Sequence, residues 1–296
     1  RRGGGRAASG ATSASGGVDF SKAKVEFFEK LGAGGSGASV YRVTADGFTC
    51  ACKVLDVKNA VAEEREAFVS EIGFIERLAH PNVVKYLGHD LAGVKLRLFM
   101  EYYPLSLRRV LYADRTHGLP YDEALDVALG IARGLRYLHE HHPPILHRDV
   151  KTANVLVACD EHARIKDVKV TDFDVSKVLD TDDKLAYDVV GTPAFAAPEI
   201  YGSTGYGLPV DVWSYGMVLY ECATRTMPYA HLDPKVITHA VIGGELPDVA
   251  GAALPAHYGP LVALMRCCWE HEPAKRPPLR KVVAALQRSL RRSVTV

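Results

Sequence analysis

The sequence predicts an α+β protein in which a small strand-rich region precedes a larger helix-rich one, and three observations carry the prediction. Short stretches that alternate apolar and polar residues, joined by glycine-rich turns, occupy Lys24 to Leu31, Ser39 to Thr44 and Phe48 to Leu55. Apolar residues at helical spacing dominate later: Val127, Ile131, Leu135 and Leu138 within Glu123 to His139, then Val210 to Ala223, with more of the pattern after Leu261. The change of character falls near Glu101 to Pro104, where proline ends the strand pattern and lets the chain turn.

Between these regions the spacing of Phe68, Ile72, Ile75 and Leu78 predicts a helix within Ala60 to Ala79, followed by strands at Val83 to His89 and Leu96 to Tyr102. Residues 1–17 (RRGGGRAASGATSASGG) hold too little apolar surface to offset the entropy of ordering them and read as a flexible leader. The start at Arg1 rather than Met carries the expectation of a longer parent protein.

Composition sets the bounds. With 296 residues, 48% hydrophobic, 24% charged and a net charge of +1, the chain can bury a full core and gives no nucleic-acid or membrane signal. No apolar run approaches the roughly 20 residues that span a bilayer as a helix. Cys50, Cys52, Cys159, Cys222, Cys267 and Cys268 form no paired metal-binding motif, and they read as reduced thiols of a cytoplasmic protein. Cys50 and Cys52 alternate on a strand and are expected to pack on one face.

Four constellations carry chemistry. Leu31-Gly32-Ala33-Gly34-Gly35-Ser36-Gly37-Ala38-Ser39-Val40 lets backbone N–H groups approach phosphate without Cβ obstruction. A dinucleotide fold would need a helix after it, whereas Val40 to Val43 continues as a strand; taken alone the loop could equally be a flexible hairpin. Lys53 lies on an apolar strand, and Glu71 lies on the apolar face of its helix; each misplaced charge explains the other if the two pair.

His147-Arg148-Asp149-Val150-Lys151-Thr152-Ala153-Asn154 is a dense polar cluster between apolar flanks. Its residues offer an acceptor for a hydroxyl proton, a cation for phosphate and a neutral metal ligand. Val168 to Asp174 then reads as a strand that would bring Asp172 beside Asn154, oxygen donors suited to Mg²⁺.

In this order, with Ala197-Pro198-Glu199 and Asp211-Val212-Trp213, residues 25 to 290 resemble a eukaryotic protein kinase. The resemblance implies the two-lobed protein kinase fold: an N-lobe over 18–103 with an antiparallel sheet and one main helix, a mostly helical C-lobe over 104–292, and an activation segment over 172–199. It implies ATP and Mg²⁺ as cofactors, with Gly32, Gly34 and Gly37 over the phosphates, Lys53 on the α- and β-phosphates and Glu71 orienting Lys53. Val40, Ala51 and Leu156 would pack on adenine, Met100 would be the gatekeeper, and Glu101 and Tyr103 would form the hinge. Asp149 would receive the substrate hydroxyl proton, Lys151 would steady the γ-phosphate, and Asn154 and Asp172 would hold Mg²⁺. Ile75, Tyr86, His147 and Phe173 match the family's regulatory hydrophobic stack.

Lys151 together with Thr192 in Gly191-Thr192-Pro193 resembles serine/threonine kinases, and Cys268-Trp269-Glu270 followed by Lys275-Arg276-Pro277 resembles the tyrosine-kinase-like group, Raf-like and mixed-lineage-like. Arg276 would pair with Glu199. The implied partners are a protein substrate and an upstream kinase, or the chain itself as activator, with no nucleic acid. Arg148 would meet a phosphorylated activation loop, for which Ser176, Thr181 and Tyr187 are the candidates. Asp174 departs from the family, which has glycine there to permit positive φ; it would either bias the segment and lower activity or add an acceptor for metal-bound water. A nucleotide-binding pseudokinase scaffold and a dual-specificity kinase are the alternatives.

Overall fold

The computed structural model describes residues 18–33, 37–113, 119–179 and 185–293. Within them the chain divides into two compact units. The first runs to Ala79 and takes in Val84–Tyr102; the second comprises His80–Val83 and the chain from Tyr103 onward.

The first unit is a six-stranded sheet with one helix. Its strands are β1 (Val18–Asp19), β2 (Val25–Ala33), β3 (Ser39–Ala45), β4 (Phe48–Asp56), β5 (Tyr86–Asp90) and β6 (Lys95–Met100), in the order β1-β5-β6-β4-β3-β2. All neighbours pair antiparallel except β1, which adds to β5 in parallel. The alternation read from the sequence places β3 and β4 correctly, and the Asp46-Gly47 turn between them explains their register. Both turn residues are left-handed, with φ of 48° and 85°, as a tight hairpin whose twist matches its strands requires.

Val43, Ala45, Cys50, Cys52 and Phe99 form the core of this unit, and Phe20 stacks on Phe99 at 4.4 Å. The paired cysteines are free and buried as expected, and burial pushes their thiols up to about 11 (Cys50) and about 12 (Cys52), so they act as small apolar residues. Helix α1 (Ala62–Ile75) buries Phe68, Glu71, Ile72 and Ile75. Its first turn is closed by Glu64, whose Oε2 accepts the Val61 N–H at 3.0 Å.

The second unit is mostly helical. It comprises β7 (Leu105–Ser106), α2 (Leu107–Tyr112), α3 (Tyr121–His139), β8 (Ile145–Leu146), β9 (Val155–Cys159), β10 (Ile165–Val170), β11 (Lys177–Val178), α4 (Pro209–Thr224), α5 (Ile237–Ile242), α6 (Gly259–Cys268) and α7 (Leu279–Ser293). The strands form a β10-β9-β7 sheet and a β11-β8 pair. Helix α4 is the central member, with every residue from Val210 to Ala223 buried. That is the environment its near-continuous apolar sequence demands.

The strand expected at Val83 to His89 starts only at Tyr86, because His80–Val83 belongs to the second unit. Gly130 and Gly134 leave a furrow on α3: a Cβ at Gly134 would stand 2.5 Å from the Asn82 carbonyl oxygen. Asn82 is fixed there by its Nδ2 on the Val168 carbonyl at 3.0 Å and by the Val170 N–H on its own carbonyl at 2.9 Å. Val83 in turn bridges Val170 in parallel.

Gly216 serves the same purpose on α4, where a Cβ would meet Trp269 Nε1 at 2.6 Å and Cys268 Cβ at 2.8 Å. Gly216→Ala is expected to lower unfolding stability by about 2 kcal/mol through this overpacking, read as a fall in the denaturant midpoint with the slope unchanged.

Candidate active site

In the first unit the two charges that the sequence places in apolar surroundings do meet. Lys53 Nζ on β4 lies 2.8 Å from Glu71 Oε2 on α1, with side chains 3% and 2% exposed. Such a pair holds one geometry because separating it would strand a buried charge. Val40 is opposite Lys53 across β3 and β4, and Ala51 is opposite Met100 across β4 and β6, so these positions share one patch of sheet. Glu101 closes on Lys85 in both directions: its N–H donates to the Lys85 carbonyl at 3.0 Å, and its Oε1 accepts the Lys85 N–H at 2.7 Å. Leu31, Gly32 and Ala33 end β2, whereas Gly34, Gly35 and Ser36 lie outside the described residues. Gly37 is left-handed at φ 73°, and a Cβ there would stand 2.9 Å from Glu64 Oε1.

In the second unit Asp149 is the focus. Its Oδ2 accepts from Lys151 Nζ at 2.6 Å and Asn154 Nδ2 at 2.9 Å, and its Oδ1 accepts from the Thr192 hydroxyl at 2.8 Å. Lys151 Nζ also donates to Thr192 Oγ1 at 2.9 Å, closing a ring of three side chains. Asn154 Nδ2 reaches the Asp149 carbonyl at 3.0 Å as well, so its Oδ1 is the atom left to face a cation. The β9–β10 ladder pairs Val155 with Val170, and the Thr171 N–H donates to the Asn154 carbonyl at 3.1 Å. Asp172 follows at φ 68°, a left-handed turn that aspartate tolerates better than most residues.

This donor set, one amide oxygen and one carboxylate, is the all-oxygen kind that suits Mg²⁺ alongside phosphate oxygens. Within Asp172-Phe173-Asp174 the left-handed residue is Asp172; Asp174 has no positive φ, so the backbone reason for glycine at that position is absent here. Leu156 stands on β9 opposite Lys169 and Ser106. The Tyr103 hydroxyl donates to Asp167 Oδ2, and Lys169 Nζ lies 5.8 Å from the Tyr103 ring centroid.

The loop carrying Asp149 hangs from α4. Asp211, wholly buried, accepts the His147 N–H on Oδ2 at 2.9 Å and the Arg148 N–H on Oδ1 at 2.8 Å, while His139 Nε2 lies 2.8 Å from Oδ2. Burial alone would push this carboxyl up, but the hydrogen bond and charge of His139, with the bonds at His147, outweigh it and hold the group below the ordinary carboxylate range. His147 Nε2 lies 3.0 Å from the Thr171 carbonyl, and its ring packs on Phe173 with centroids 5.3 Å apart. Of the other positions in the expected stack, Ile75 is fully buried and Tyr86 partly buried in the first unit.

Sequence reasoning missed how the chain after Asp172 is fastened. Arg148, 8% exposed, pairs with Asp188 Oδ2 at 3.2 Å, meets the Tyr206 hydroxyl at 3.2 Å and donates from Nε to the Val175 carbonyl. A buried guanidinium needing an anion was the available signal, but it could not select Asp188 from several acids. Of the candidate phosphosites, Ser176 donates to the His147 carbonyl at 3.3 Å, Tyr187 is exposed, and Thr181 lies outside the described residues. Arg276 and Glu199 form a bidentate pair at 2.5 and 2.8 Å, as expected.

Residues 25–286 match the protein kinase domain family, and the chain belongs to it; its fold is the two-lobed protein kinase fold. It is 39% identical over 282 residues to Kinase and exchange factor for Rac B of Dictyostelium discoideum, covering 93% of this chain and 25% of that one. It is 32% identical to Serine/threonine-protein kinase CTR1 of Arabidopsis thaliana, covering 90% and 32%, and 31% identical to Dual specificity protein kinase shkD of Dictyostelium discoideum, covering 94% and 36%. The chain thus spans between a quarter and about a third of these relatives' lengths. They accord with the tyrosine-kinase-like resemblance.

Asp211 also sets a pH dependence. Its folded-state pKa lies below the unfolded value, so its contribution to stability is complete above the unfolded pKa and is lost as pH falls through the folded one. Asp211→Asn is expected to cost about 2 kcal/mol at neutral pH, and the gap from wild type should narrow in acid, below about pH 4, in denaturant titrations.

Proposed function

We propose that the chain is a catalytically active serine/threonine kinase domain that moves the γ-phosphoryl group of ATP to a protein hydroxyl. The observation that carries this reading is the ring of Asp149, Lys151 and Thr192, with Asn154 held against the same carboxylate. A carboxylate fixed by three donors can accept a fourth, from a substrate serine or threonine hydroxyl. As that oxygen bonds to the γ-phosphorus and the bond to the ADP oxygen breaks, the hydroxyl proton passes to Asp149. Lys151, 2.6 Å away, faces the negative charge on the transferring group.

Asn154 and Asp172 would hold Mg²⁺, which when bound offsets charge on the ATP phosphates. Lys53, aimed by Glu71, would hold the α- and β-phosphates; the loop from Leu31 to Gly37 would cover them; and Val40, Ala51, Met100, Glu101, Tyr103 and Leu156 would receive the adenine. The N-lobe is then 18–103, the C-lobe 104–292 and the activation segment 172–199. An upstream kinase, or the chain itself, would act on that segment. Among the described residues no helix is long and apolar enough to cross a membrane. The cytoplasm is the location that supplies both ATP and a protein substrate while keeping cysteines reduced.

Labelled ATP with Mg²⁺ and a generic basic protein substrate tests the reading. Wild type is expected to transfer phosphate to serine and threonine, and Asp149→Asn to be slower by a factor on the order of 10²–10⁴. No transfer by wild type, with ATP still raising the melting temperature and after prior phosphorylation of the segment, would replace it with a pseudokinase scaffold. Phosphotyrosine in the product would establish dual specificity.

A further inference from the structure

Helix α4 carries a second buried carboxylate that the loop at Asp149 also touches. Glu221, with no exposed surface, accepts the Thr152 hydroxyl on Oε2 at 2.8 Å and the Tyr112 hydroxyl on Oε1 at 2.9 Å. Thr152, also fully buried, starts the single 3₁₀ turn Thr152–Asn154, which is closed by the Asn154 N–H on the Lys151 carbonyl at 2.9 Å. Lys151 precedes this turn and Asn154 ends it, and both place their side-chain nitrogens on Asp149 Oδ2.

We infer that Glu221 is a positioning residue that, through the Thr152 hydroxyl, fixes the turn between Lys151 and Asn154 and so aims both side chains at the carboxylate of Asp149. Asp211 fastens the loop before Asp149; Glu221 fastens it after. The inference rests on the kinase reading for its effect on rate.

A carboxylate without solvent must receive hydrogen bonds, and here the bonds come from two neutral hydroxyls rather than a cation in contact. Burial pushes the Glu221 carboxyl up, while the Thr152 and Tyr112 bonds and the charge of Arg108 pull the other way. An apolar residue would satisfy the packing of α4 without that cost, but it would leave the Thr152 hydroxyl unbonded in the core. Tyr112 ends α2, where Arg225 also donates to the Ala113 carbonyl at 2.8 Å, so the same corner braces the end of α2.

Thr152→Val removes the hydroxyl, and Thr152→Ser keeps it. Thr152→Val is expected to lower kcat about tenfold with KM for ATP held within about twofold, and Thr152→Ser to restore kcat to within about twofold of wild type. Glu221→Leu, which removes the acceptor, added to Thr152→Val should lower kcat little more than Thr152→Val alone, because the bond between Thr152 and Glu221 is already cut. Amide exchange at Asn154 should quicken in Thr152→Val.

A Thr152→Val enzyme that melts lower but keeps its kcat would overturn the proposal, as would failure of Thr152→Ser to restore the rate. Should Thr152→Val not fold, Thr152→Ala, which also removes the hydroxyl, decides: a fall in kcat at constant KM supports positioning, and an unchanged kcat ends it. If wild type transfers no phosphate, the kinase reading fails by itself, and the exchange rate at Asn154 then decides the positioning claim.

Discussion

The carboxylate of Asp211 is what the second unit is built to present. It sits in the first turn of α4, where the helix dipole favours negative charge, and it is sealed from water by the residues that use it. Two successive backbone N–H groups, at His147 and Arg148, point at its two oxygens. That demand forces Arg148 into the left-handed region at φ 67°, a conformation an arginine would not otherwise hold. The strain is sited where three further contacts of the Arg148 side chain, at Val175, Asp188 and Tyr206, keep the residue in place. Gly191 is part of the same arrangement, since a Cβ there would stand 2.5 Å from the Arg148 carbonyl oxygen.

Much of this was legible in the chain because buried charge is conspicuous. Lys53 on an apolar strand and Glu71 on an apolar helix face each contradict their surroundings, and only a partner removes the contradiction. The same logic reads His147 to Asn154, whose polar residues stand between apolar flanks. Strand and helix positions followed from period alone, as β3 and β4 illustrate.

What escaped reading was non-local. Val18–Asp19 is too short to carry a periodic signal and exists as a strand only because β5 offers it an edge. Glu221 broke an apolar helix as plainly as Glu71 did, yet its partners are hydroxyls at Tyr112 and Thr152, and no rule of spacing singles out a hydroxyl. Asp188 was one acid among several near the segment, and the choice is made by the fold that carries Arg148.

The four residues His80–Val83 show how deeply the chain order and the compact units disagree. Asn82 spans a sequence separation of 86 to reach Val168, so its berth beside Gly134 is completed only after α3 and β10 have been made. During synthesis this short stretch leaves the ribosome early and must wait, unpaired, for the surface it belongs to. Nor can the second unit be excised by a single cut. A fragment starting at Tyr103 would open the furrow along Gly130 and Gly134 to water and strip the Val168 carbonyl and the Val170 N–H of their partner Asn82, so any attempt to express it alone must return those four residues by circular permutation or as an added peptide.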